Sequence, residues 1–235
     1  MKDRTYPRRG LHGELVHDIG VRILRGELKP GDSVVAERDD QDVSRTVVRE
    51  AVKVLAAKGL IASRPKTGTQ VRERRYWHML DPDMLAWRLE TEPGDDFYMT
   101  VFETRRLIEP AVAALAAKRA TEAEIAELEA AFARMEESVG HDMETYIEAD
   151  IRFHEVILVG CHNELLTNLG SILRGVFRAS FTRTQGVAEQ TRSLHAAVLA
   201  GIRDGDGEAA ENAMRSLIET TAAYLDDPSH VSLSV

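Results

Sequence analysis

The chain has 235 residues, 43% hydrophobic and only 6% aromatic, with a formal net charge of −9. That length suits one large domain or two modest ones, and the wealth of Ala, Leu, Glu and Arg favours helix over sheet. The negative charge argues against nucleic acid only as an average, because residues 1–75 carry 17 Lys and Arg against 11 Asp and Glu, whereas residues 76–235 carry 13 against 28.

A basic first third and an acidic remainder imply two domains with different partners, 1–75 and 76–235. Cys161 is the single cysteine, so no internal disulfide can form, which fits a reducing cytoplasm. MKDRTYPRRG lacks the apolar run of a secretory signal, and AVAALAA at 111–117 is too short to span a membrane. A cytoplasmic protein without membrane contact is expected.

Leu11, Leu15, Ile19, Ile23 and Leu24 recur at helical spacing, and Gly26, Pro30 and Gly31 end that helix. A second helix starts at Ser44, a good N-cap residue, and closes at Lys58 and Gly59. Its apolar stripe is Val47, Val48, Ala51, Val52 and Leu55. LIAS and TQVR around RPKTG then predict a hairpin. Helix, turn, helix and hairpin within about sixty residues is the order of a winged helix-turn-helix. The segment RERRYWHMLDP reads as a linker.

From residue 81 onward the pattern is helical, with six or seven helices and no strand. Pro110 is expected to bend or interrupt the long segment DDFYMTVFETRRLIEPAVAALAAKRA. Thr121 and Glu124 form a capping box. The fold class is therefore mainly α: an N-terminal winged helix-turn-helix followed by an all-helical bundle.

The second helix has the composition of a DNA-reading element. Ser44, Arg45, Thr46 and Arg49 occupy its first two turns and share a polar face, while the valines face the core. Arginine suits the paired acceptors of guanine, and backbone N–H groups at a helix start suit phosphate. In the hairpin turn Arg64, Lys66 and Thr67 offer phosphate contacts, and Gly68 permits close backbone approach. The alternative is a surface helix that happens to carry two arginines.

In EADIRFHEVIL, Asp150 and His154 lie four apart on one helix face and can chelate one ion. His195, on a later helix, is the third candidate. A histidine on an apolar helix face is also commonly a hydrogen-bonded core residue. A metalloenzyme would need a general base beside the metal, but Glu155 lies about 100° around the helix from His154. No nucleophile, phosphate or dinucleotide motif is present, so no enzymatic activity is expected.

Residues 11–72, with KPGD at 29–32, AER at 36–38 and SRTVVREAVKVLAAKGLIASRPKTGTQV, resemble the winged helix of the GntR family of bacterial transcription regulators. In that family the residues matching Arg38, Arg45, Thr46, Arg49 and the wing from Lys66 to Gly68 contact operator DNA. The resemblance departs at one place. After AER the family has about eight residues, apolar at helical spacing, and DDQDV here is about three shorter, roughly one helical turn. Val35 stands where the family has Pro. Asp39, Asp40 and Asp42 bring negative charge beside the DNA face, and each lost Leu-like side chain removes burial worth about 1.5–3 kcal/mol. Weakened operator binding is expected, and in the extreme an effector-binding protein with impaired operator recognition.

Residues 81–225 resemble the all-helical ligand-binding domain (FCD) of the FadR subgroup of GntR regulators, through FETRRLIEPAVAALAAKRAT, EADIRFHEVIL, HNELL and LHAAVLAGIRDGD. The resemblance implies a homodimer, a repressor more readily than an activator, and a divalent metal, often zinc, bound by an Asp and three His. Asp150, His154 and His195 match the first three; Leu217 stands at the fourth. It also implies that Arg105, the Arg of the E-x-R-x-x-x-E-P pattern, holds a small carboxylate effector. A salt bridge from Arg105 to Glu103 or Glu109 is the structural alternative, and Arg152 and Arg178 are weaker candidates. YWHMLDPDMLAWRLE resembles members that respond to sugar acids such as galactonate.

Overall fold

The computed structural model describes residues 10–34, 44–65, 68–91 and 95–226. The shortened segment at 35–43, with Arg38 in it, and the wing-tip residues Lys66 and Thr67 lie outside the described residues. The chain packs as two compact units, Met1–Pro93 and Gly94–Val235. Residues 76–91, which the sequence reading groups with the helical domain, pack in the first unit.

In the first unit α1 (Leu11–Leu24) packs on α2 (Arg45–Ala57) and on α3 (Pro82–Thr91). Leu15, Val16, Ile19 and Ile23 from α1 meet Ala51 and Leu55 from α2, with Leu60, Ile61 and Val71 closing the core. Burying each Leu- or Ile-sized side chain contributes about 1.5–3 kcal/mol before entropy is counted. Ser44 caps α2 by accepting a hydrogen bond from the Val47 N–H, as its place before the apolar stripe predicts. β1 (Ile61–Arg64) and β2 (Gly68–Val71) form the antiparallel wing, with Ile61 opposite Val71 and Arg64 opposite Gly68. Ser33 adds a single bridge to Gln70.

The second unit contains α4 (Asp95–Arg119), α5 (Glu122–Ser138), α6 (Met143–Gly160), α7 (Glu164–Arg183), α8 (Ala188–Arg203) and α9 (Gly207–Asp226). With α3 that makes seven α-helices after residue 81 among the described residues. α4 lies against α9 and α6, α8 against α9, and α5 against α6. The Thr121 and Glu124 capping box starts α5, and the side chains of Asp142 and Asn163 cap α6 and α7. α4 runs uninterrupted through Pro110, so of the bend or interruption expected from sequence the interruption does not occur. Proline removes one hydrogen bond and crowds one carbonyl, and burial of Pro110 within a 25-residue helix offsets that local loss. No helix among the described residues is long and apolar enough to cross a membrane.

Candidate functional site

Two regions carry chemistry, one in each unit. On the first, Arg45, Thr46 and Arg49 are exposed on the first two turns of α2, and Ser44 is spent on the cap. Among the described residues Arg49 has a loose contact with Glu50, at 3.6 Å, which also holds Lys53. Such exposed pairs are weak, so both arginines are available to base edges or phosphate. Arg64 is exposed beside Gly68, whose φ of 74° suits glycine and whose Cβ position is open space. Backbone can therefore approach a phosphate closely there.

In the second unit α6 contributes Asp150 and His154, one turn apart, and α8 contributes His195. All three are buried, and each offers a ligand atom within 4.8 Å of the others. The Nδ1 of His195 lies 3.0 Å from the Thr191 carbonyl, so it carries the proton and donates. Its Nε2 then turns towards Asp150 Oδ1, 3.2 Å away. The Nε2 of His154 approaches the same oxygen at 3.4 Å. Its Nδ1 lies 2.7 Å from Glu109 Oε2 as an ion pair rather than an in-line hydrogen bond. Two imidazole nitrogens thus converge on one carboxylate oxygen, an arrangement that a proton or a cation must bridge. Metal-binding histidines are commonly oriented in this way, through the nitrogen that does not bind the ion.

Electrostatics follow from burial and these contacts. Burial alone would raise Asp150, but hydrogen bonds from His154 and His195 outweigh it and hold the carboxyl below its usual range. Glu109 is likewise pushed up by burial and pulled down by Arg105 and His154, ending at about 2. Burial would lower His154, but Glu109 and Asp150 raise it to about 9. Burial, and then the Asp150 charge, pushes Tyr146 well above the ordinary phenol range.

Arg105 is 2% exposed and donates from Nε to Glu109 at 2.6 Å, the salt bridge foreseen as its structural alternative. Glu103 is exposed and takes no part. The guanidinium sits 5.1, 5.6 and 4.7 Å from the rings of Phe102, Phe177 and Phe181. Its Nη1 is buried and has no hydrogen-bond partner among the described residues. The salt bridge thus occupies one edge of the guanidinium and leaves a donor over. Arg152 is on the surface, paired with Glu127 and Glu155, and Arg178 is also exposed; neither lines the cavity. Glu155 pairs with Arg174 at 2.7 Å and does not line the cavity either.

The cavity of ≈ 20 Å³ is lined by Arg105, Asp150, His154, His195 and Leu217, and by four hydroxyls, those of Tyr146, Thr184, Thr191 and Thr221. It has room for about one water or ion. Sequence reasoning did not single out the hydroxyls, yet Tyr146 precedes Asp150 by one helical turn, Thr191 precedes His195 by one, and Thr221 follows Leu217 by one. That periodicity places them on the ligand face.

The family described as Bacterial regulatory proteins, gntR family, matches residues 11–71, and the FCD domain matches residues 100–220. A galactonate operon transcriptional repressor of Escherichia coli (strain K12) is 35% identical over 220 residues, covering 91% of this chain and 96% of that protein. The chain belongs to the GntR family. This GntR regulator is thus a DNA-binding transcription regulator with an FCD domain, and not an enzyme. An uncharacterized HTH-type transcriptional regulator, YieP, of the same organism is 33% identical, covering 88% of this chain and 91% of that protein. A solved GntR structure from Streptococcus agalactiae shares the fold at 22% identity, with a TM-score of 0.53 over 91% of this chain and 99% of that one.

Proposed function

We propose that this regulator is a homodimeric repressor, acting in the cytoplasm, that releases its operator when a small sugar acid enters the FCD cavity beside a divalent metal. The observation that carries the reading is the convergence of the His154 and His195 Nε2 atoms on Asp150 Oδ1 in a buried cavity. The donor set of two imidazoles and a carboxylate fits zinc, and the apolar Leu217 leaves coordination positions for other oxygens. A bound zinc would act as a Lewis acid for oxygen ligands.

The remaining groups fit the rest of a sugar acid. The spare Nη1 of Arg105 suits a carboxylate. Thr184, Thr191 and Thr221 donate their hydroxyl protons to carbonyls of their own helices, so each offers lone pairs to ligand hydroxyls that donate. A six-carbon acid needs far more room than ≈ 20 Å³. Binding must therefore select a wider arrangement of α6, α8 and α9, which gives the acid differential affinity for two states. The relative that represses a galactonate operon supports the same substrate class.

Metal analysis of the purified chain, followed by thermal denaturation with galactonate or hexanoate, tests this. We expect one divalent ion per chain and a Tm rise with galactonate alone, lost in Arg105→Ala. Absence of the ion together with an unchanged Tm would overturn the reading.

A further inference from the structure

Lys58 ends the recognition helix, and from sequence it reads as an ordinary basic residue of a last turn. In the fold it is 2% exposed, and its Nζ reaches Asp81 at 2.9 and 3.0 Å and Asp83 at 2.6 Å. Asp83 is fully buried. Asp81 in turn caps α3, accepting from the Asp83 and Met84 N–H groups. The Lys58 carbonyl accepts from the His78 N–H at 3.0 Å. One residue at the end of α2 therefore holds both the entry to α3 and the strand of chain leading to it.

Neighbouring contacts are equally specific. Gly59 has φ 76°, and a Cβ there would lie 2.1 Å from the Tyr76 carbonyl oxygen. Gly20 on α1 leaves the groove that Trp87 of α3 fills, since a Cβ would come within 2.4 Å of that ring. His17 and Glu90 join the same two helices at 2.8 Å. An ion triad with Lys58 and Asp83 buried and Asp81 partly exposed is a poor source of net stability, because apolar groups of equal volume often serve as well; its better-attested use is to fix one geometry.

We propose that Lys58 is a positioning residue for DNA reading, which pins α3 to the C-terminal end of α2. The described residues between Leu11 and Thr91 then form one DNA head, and α3, separated from α4 by three residues, is the part of the head from which the chain leaves for the FCD domain. This stands apart from the metal and acid reading, since both charges and packing lie within the first unit.

The test is hydrogen exchange on the full-length protein, with binding to a duplex selected from random DNA by the wild-type chain. In wild type, α3 and α2 amides should open together. In Lys58→Met, which leaves Asp83 buried without its cation, α3 should exchange at least tenfold faster than α2, with α2 unchanged. DNA affinity should fall about tenfold, because a loosened head must be ordered on binding, and the salt slope should not change. The double variant Lys58→Met with Asp83→Leu, an apolar pair, should restore both. Uniform acceleration of α1, α2 and α3, independent opening of α3 in wild type, unchanged DNA affinity in Lys58→Met, or a reduced salt slope would each overturn the proposal.

Discussion

Each cavity histidine is fixed through its Nδ1, His195 by the Thr191 carbonyl and His154 by Glu109, which leaves both Nε2 atoms facing Asp150. Removing a ligand should therefore cost more than removing an orienting group. His195→Ala is expected to lower zinc affinity beyond calorimetric detection, whereas Glu109→Gln should lower it by about 10–100-fold. Leu217→His should supply a fourth ligand, tightening zinc and weakening any acid that needs the open position, both readable by titration. The pH dependence follows from His154, whose folded value near 9 exceeds the unfolded value of 6.5. For the metal-free protein this contribution to stability is complete below pH 6.5 and lost as pH rises towards 9. Metal and proton compete for His154, so zinc affinity should rise over the same interval, with protons released on binding. Asp150 and His154 were legible from their four-residue spacing. Glu109 showed only as a salt-bridge candidate for Arg105, because its contact with His154 joins two helices that no local pattern relates.

Helices were the most legible elements, since their apolar spacing and caps are local: α1, α2 and the wing fall where Leu11, Ser44 and the RPKTG turn place them. Ser44→Ala should destabilise α2 by about 1 kcal/mol and weaken DNA binding with it. Arg45→Ala or Arg49→Ala should cost about 1–3 kcal/mol of operator affinity and relax the choice of base, whereas Arg64→Ala should weaken all duplexes alike and reduce the salt slope by about 1. Competition binding at several salt concentrations separates the two behaviours. Residues 76–91 pack with the first unit although RERRYWHMLDP has the composition of a linker. Its fate depends on Trp87 meeting Gly20, and on Asp81 and Asp83 meeting Lys58, partners remote in sequence. Pro110 does not interrupt α4, and it is buried there, a tertiary circumstance that no local pattern records.

At the scale of the whole chain, a basic DNA-reading unit is joined to an acidic helical unit, and charge segregation together with the change from helix and hairpin to all-helical patterning made that division visible. Operator binding and acid binding must be linked reciprocally if the acid selects a wider cavity. The shortened, acidic segment at 35–43 lies outside the described residues, and from its sequence we expect it to keep operator affinity modest and its salt slope shallow. The most direct measurement is the operator affinity of the zinc-loaded protein at fixed salt, with and without galactonate and related sugar acids. At least one such acid should weaken binding by about 5–150-fold, and His195→Ala or Arg105→Ala should abolish the response while leaving acid-free DNA affinity intact. Equal affinity with and without every acid of the series would contradict the account.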